Sequence, residues 1–119
     1  MASEQRVRLA RVYAEPEPGE GQRVLVDRLW PRGLRKDDPR IGRWLPEVAP
    51  STELRRWYGH VPERYDEFVR RYTAELDAPA GAEALDELRG IVRAGPVVLV
   101  TATKEVELSH LSVLARLIT

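Results

Sequence analysis

Two unbroken apolar runs stand out along the chain, "VLV" at 24–26 and "VVLV" at 97–100. A short apolar run bounded by turn residues reads as a strand buried on both faces, the habit of a parallel strand covered by helices. The first run predicts a strand over 23–29, stopped by Pro31 and Gly33. Residues 6–13, "RVRLARVY", alternate in part and predict another strand, with the turn-rich loop "AEPEPGEGQ" at 14–22 between them. In 34–48 the pattern is weaker, and Asp38-Pro39 predicts only a short helical turn. Residues 51–60 predict a two-turn helix with Ser51 as N-cap and Gly59 as left-handed terminator.

From Pro62 onward Tyr65, Phe68, Val69, Tyr72 and Leu76 share one helical face. "DAPAG" at 77–81 is expected to break that helix. Another over 82–94 buries Leu85, Leu88, Ile91 and Val92 and ends at Gly95-Pro96. After the second apolar strand comes the loop "TATKE", then a last helix over 105–118. The order is β-β-α-α-α-β-α. It predicts a single compact α/β domain over 1–119, with residues 1–5 flexible. A small, mainly parallel sheet of about three strands would be covered by four to five helices.

Composition narrows the chemistry. With no cysteine, disulfides, thiolate catalysis and cysteine–zinc sites are excluded. No apolar run approaches the ~20 residues that span a bilayer, and "MASEQRVRLA" lacks the apolar core of a signal peptide. The expected setting is cytoplasmic, without membrane. Nineteen basic residues balance nineteen acidic ones, so a nucleic-acid partner would need a local patch rather than an overall excess. Only Lys36 and Lys104 of the basic residues are lysines, which makes arginine cheap as a signal.

Ligands of parallel α/β sheets sit beyond the carboxyl ends of the strands. Those ends carry Asp27, Arg28, Trp30 and Arg32 on one strand, and Thr101, Thr103 and Lys104 on the other. If the strands are parallel, both sets share a rim. Asp27 and Arg28 alternate in direction if their strand continues, so one of them faces each side. His110 falls inside the apolar arc of the last helix, near its start, and is a candidate acid–base group or anion contact. Lys104, before that helix, would hold a phosphate or carboxylate together with the helix-start amides. Each has a plainer reading: a satisfied core histidine, an exposed loop lysine, a turn-fixing aspartate, and tryptophans that pack a corner. His60, after Gly59, is a helix-end cap or a proton-transfer group. No HxH or HExxH spacing occurs, so no metal site is expected, and no sequence feature names a cofactor.

The stretches "DRLWPRG" (27–33), "WLPEVAPSTELRRWYGH" (44–60), "FVRRYTAEL" (68–76) and "VVLVTATKEVELSH" (97–110) resemble the YeaO-like proteins, small bacterial proteins without an established activity. The resemblance covers about 6 to 118 and implies a compact α/β fold with a small, mainly parallel sheet. It places Asp27, Arg28, Trp30, Pro31, Arg32, Gly33, the Ala49-Pro50-Ser51 turn, Trp57, His60, Lys104 and His110 at motif positions. The chain departs from the usual pattern at Thr103-Lys104-Glu105, where an Ala-Lys-Asp run is commoner, and at Ser109, where Asn is commoner.

The expectation is a site for a small anionic ligand, phosphate- or nucleotide-containing, at the strand rim. Arg28, Trp30, Arg32 and Lys104 would bind it, and Asp27, His60 and His110 would orient it or move protons in a hydrolysis or group transfer. The alternatives are a nucleic-acid-binding or regulatory module built on the basic 28–36 run, and a protein-interaction domain. Oligomeric state is left open.

Overall fold

A computed structural model describes residues 7–118. The expected flexible segment, 1–5, lies outside the described residues. The strands are β1 (Val7–Arg11), β2 (Gln22–Leu25), β3 (Arg43–Trp44) and β4 (Val97–Thr101). They form one sheet in the order β1-β4-β2-β3, with every pairing parallel. The helices are α1 (Thr52–Tyr58), α2 (Tyr65–Asp77), α3 (Pro79–Ala94) and α4 (His110–Ile118).

The sheet holds four strands rather than about three. The extra one, β3, is two residues long and pairs with Val24 and Leu25. No local pattern marks it, because its register comes from β2. Asp38-Pro39 opens no helix; Ile41 N–H closes a single turn on the Asp38 carbonyl at 3.1 Å.

Both faces of the sheet are buried, as the apolar runs require, but by different material. Val24, Val26, Val97 and Leu99 face a large core made by all four helices. Val12, Leu25, Val98 and Val100 face a smaller cluster with Tyr13, Trp30, Leu34, Ile41 and Trp44. The 28–42 loop therefore takes the place of a helical layer. Two tryptophans supply its apolar mass: Trp30 and Trp44 pack edge to face with ring centres 5.4 Å apart.

Helix boundaries shift where chemistry outside the apolar pattern decides. Pro79 suits a first helical position, so α3 starts there and only Ala78 separates it from α2. The last helix starts at His110, not 105, because Val106–Leu108 form a 3-10 turn and Ser109 is extended. Ser51 caps α1 as expected: its Oγ accepts from Leu54 N–H at 3.1 Å and donates to Glu75 at 2.6 Å. Replacing it with alanine removes the cap and the hydroxyl bond to Glu75, leaving that carboxylate only the residue 51 backbone N–H at 2.8 Å. Ser51→Ala is expected to lower unfolding free energy by about 1–2 kcal/mol, read by urea denaturation; no loss would mean that α1 stands without its cap.

Candidate functional site

The four parallel strands end together, and a cavity of about 570 Å³ opens beyond them. Its walls come from the β2 exit (Asp27 to Arg32), the Ala49-Pro50 turn, the outer face of α1, and the β4 exit with His110.

The β2 exit has its own logic. The ladder of β2 stops at Leu25, although Val26 N–H still reaches the Val100 carbonyl at 3.2 Å. Asp27 then continues the pairing with its side chain. Its Oδ1 accepts from Thr101 Oγ1 at 2.7 Å and its Oδ2 from Ala102 N–H at 2.8 Å. Its carbonyl accepts from Trp44 Nε1 at 2.8 Å. Since the strand does not continue, Asp27 and Arg28 do not alternate to opposite sides; both line the cavity.

His110, at the head of α4, stands over this corner. Its Nε2 lies 2.8 Å from the Val26 carbonyl and 3.3 Å from Asp27 Oδ1. Both neighbours accept only, so Nε2 carries the proton and donates. Burial raises the Asp27 pKa, but His110 above all, with Ala102 N–H and Thr101, outweighs it and holds the carboxyl below its ordinary range. Asp27 and His110 thus form a closed corner. Both carboxylate oxygens have close donors and the histidine proton is engaged.

Arg28 is different. Its Nη2 donates to the Ala49 carbonyl at 2.7 Å, while its buried Nε has no partner. No carboxylate among the described residues pairs with it, because Asp27 is bound elsewhere. Arg32 is exposed and its carbonyl accepts from the Tyr13 hydroxyl at 3.0 Å. Trp30 lines the cavity but is fastened: Nε1 donates to the Leu34 carbonyl at 2.8 Å, and the Lys36 ammonium lies 4.7 Å from its ring centre. It serves the corner first and contributes an apolar wall.

His60 sits exposed at the mouth. It follows Gly59 in a second left-handed position, φ 58°, which is uncommon for a residue with a side chain. Its ring centre is 5.7 Å from that of Tyr58. Lys104 is not brought to this cavity. It lines a separate hollow with Leu9, Glu105, Val106 and Glu107, because the turn at 106–108 stands between it and α4. The phosphate cradle expected from Lys104 and a helix start is not assembled. Of the seven residues expected at the site, the cavity therefore gathers Asp27, Arg28, Trp30, Arg32, His60 and His110. Among the described residues, no group of His, Cys, Asp and Glu is placed to hold a metal ion. No described helix is long and apolar enough to cross a membrane.

Sequence reasoning missed Tyr13, Thr52, Arg55 and Arg56, all of which line the cavity. The signal was present in "TELRRWY". Leu54 and Tyr58 form the buried stripe of α1, and Thr52, Arg55 and Arg56 fall at i, i+3, i+4 on another face. No salt bridge or side-chain hydrogen bond joins Arg32, Arg55 or Arg56 to another described residue.

A sequence model described as "Inactive DUF488-N3 subclade" matches residues 6–119. The chain is 56% identical over 118 residues to the uncharacterized protein Rv3073c of Mycobacterium tuberculosis (strain ATCC 25618 / H37Rv), covering 99% of this chain and 98% of the relative. It is 40% identical over 110 residues to the uncharacterized protein YeaO of Escherichia coli (strain K12), covering 92% and 93%. No solved structure matches.

Proposed function

This chain belongs to the inactive DUF488-N3 subclade and is one of the YeaO-like proteins, and from that premise we propose that its strand-rim cavity binds a small phosphate-bearing ligand without turning it over. The observation that carries the reading is charge. Four arginines, Arg28, Arg32, Arg55 and Arg56, and a single acidic residue, Asp27, are among the residues that line one cavity. The Asp27 carboxylate accepts from Thr101 and Ala102 and forms no salt bridge with Arg28, so positive charge is in excess. Arginine's planar fork suits phosphate oxygens. The cavity volume falls within the ~300–1,000 Å³ usual for small-ligand sites.

The absence of turnover in the proposal rests on the same corner. A general base needs a free acceptor within reach of the proton it takes. The two Asp27 oxygens already accept from Thr101 and Ala102, and His110 Nε2–H is directed at the Val26 carbonyl, so these groups are committed to holding the corner together. Ser109 Oγ is likewise bound, donating to the Val106 carbonyl at 2.6 Å and accepting from Leu111 N–H. The description of the subclade as inactive agrees with this reading.

The other readings are less well supported. In the basic 28–36 run, Arg35 faces Asp37 at 3.7 Å and Lys36 lies over Trp30 and Trp44, which leaves a thin footprint for nucleic acid. Leu29 is the single large apolar side chain strongly exposed among the described residues, too little for an apolar protein interface.

Calorimetric titration with adenosine monophosphate tests the proposal. Binding is expected, with Arg28→Ala weakening it at least tenfold, an effect of about 1.4 kcal/mol, and the variant still folded by circular dichroism. No heat and no melting shift with the wild-type protein would end the proposal.

A further inference from the structure

We infer that the ligand carries a diphosphate group rather than a single phosphate; the inference rests on the phosphate-binding reading above. Its basis is the number and placement of the unpaired charges. Four arginines against one aspartate leave the cavity lining with an excess of three positive charges. A lone phosphate brings about two negative charges at neutral pH and leaves part of this set unanswered. A diphosphate brings about three.

The arginines also stand in two tiers. Arg28 is half-buried and held by its bond to the Ala49 carbonyl, with its buried Nε left over. Arg55 and Arg56 are exposed on the cavity face of α1, which begins three residues after Ala49. Arg32 is exposed on the segment that leaves β2, where the Tyr13 hydroxyl donates to its carbonyl. One phosphoryl group meets Arg28 inside, and a second meets the outer arginines. Asp27 shapes the same arrangement from the other side. Its negative carboxylate lies toward the β4 exit, against Thr101 and Ala102, and directs an anion away from that wall. Nothing is broken or transferred in this scheme. Burying an anion here satisfies donors and charges that no protein group answers.

The cavity's volume of about 570 Å³ and the half-buried position of Arg28 in its wall favour a small ligand over a nucleic-acid strand. The diphosphate itself has two sources, free pyrophosphate or a nucleoside diphosphate. Both offer the same charged group.

The test is a titration series on the full chain with inorganic phosphate, pyrophosphate, adenosine monophosphate and adenosine diphosphate, plus a short single-stranded oligonucleotide. Pyrophosphate is expected to bind at least tenfold tighter than phosphate, and the diphosphate nucleotide at least tenfold tighter than the monophosphate. A further gain of adenosine diphosphate over pyrophosphate assigns a nucleoside to the ligand; no gain assigns the diphosphate group alone. The double variant Arg55→Gln/Arg56→Gln keeps helix-forming residues in α1 and touches no buried group. It is expected to weaken pyrophosphate binding more than phosphate binding, so that the pyrophosphate advantage is lost; an undiminished advantage would contradict the outer arginines' part. If phosphate binds and pyrophosphate binds no tighter, the diphosphate inference is wrong while the phosphate site stands. If neither binds, both fall. If the oligonucleotide outcompetes pyrophosphate, the occupant is nucleic acid and the inference is overturned.

Discussion

Asp27→Ala is expected to lower unfolding free energy by about 3 kcal/mol and the melting temperature by about 10 °C. The size follows from what one carboxylate holds. Thr101 Oγ1, Ala102 N–H and the His110 ring all turn toward it at the end of the sheet. An alanine leaves the part-buried Ala102 N–H and the buried Thr101 hydroxyl without this acceptor, and a buried donor left unmade costs more than a bond gains. Asp27→Asn is the sharper probe. Its amide keeps one acceptor oxygen but sets an NH₂ against a donor, either Ala102 N–H or the Thr101 and His110 side.

The same residue predicts a pH response. The folded carboxyl has a lower pKa than its ordinary 3.8, since His110, Ala102 N–H and Thr101 outweigh the effect of burial. Its stabilising contribution is therefore complete above the pKa of the unfolded chain. It is lost as pH falls through the lower folded value. Denaturation midpoints measured from neutral to strongly acidic pH should show the wild type losing more stability than Asp27→Asn below pH 3.8. Parallel profiles for the two proteins would contradict the assignment.

Gly21→Ala should cost at least as much, about 3 kcal/mol or more. Gly21 has φ 108°, and a Cβ built there would lie 2.3 Å from the Pro96 carbonyl oxygen. That oxygen cannot move aside, because it accepts from Gln22 N–H at 3.0 Å and opens the β2–β4 ladder. The contact sets Gln22 opposite Val97, and the register runs from there to Leu25 opposite Val100. Asp27 meets Thr101 and Ala102 only in that register; a slip of one residue would turn each apolar side chain to the other face. Gly19→Ala is the control, since φ is also positive there, 77°, but nothing lies within 4 Å of the added atom. If guanidinium denaturation found the two variants equally destabilised, the clash with Pro96 would not be what matters.

These residues show where local pattern stops being informative. The α2 stripe of Phe68, Tyr72 and Leu76 was legible because helical spacing repeats within one element. So was "VVLV", a run that water would penalise on either face. The strand β3 was not legible, since Arg43 and Trp44 are extended only because β2 offers them a free edge. The true start of α4 was hidden as well. Apolar residues continue through 106–108, and the break at Ser109 is an extended residue, not a glycine or proline.

The site divides in the same way. The crowding of Asp27, Arg28, Trp30 and Arg32 after an apolar run marked one half of a rim without any coordinates. Parallel pairing then brought Thr101, Ala102 and His110 to it. Lys104 matched the pattern equally well and was carried to another hollow by a 3-10 turn. Arg55 and Arg56 looked like solvated helix residues, and the seat of α1 over the strand ends made them cavity walls.

By itself, then, the sequence determined that this is a parallel α/β domain without cysteine chemistry, and that charge gathers at the end of β2. Those properties follow from side-chain type and spacing, which every residue carries wherever the chain places it. Only the tertiary structure decided which charges remain free. Asp27 is engaged because the threonine hydroxyl that ends β4 and the backbone amide of the next residue arrive within 2.8 Å of it. Arg28 is left unanswered because its nearest carboxylate in sequence has been taken. Whether a charge is available depends on what meets it across the fold, and that meeting is set by strand register and helix placement, not by neighbours along the chain.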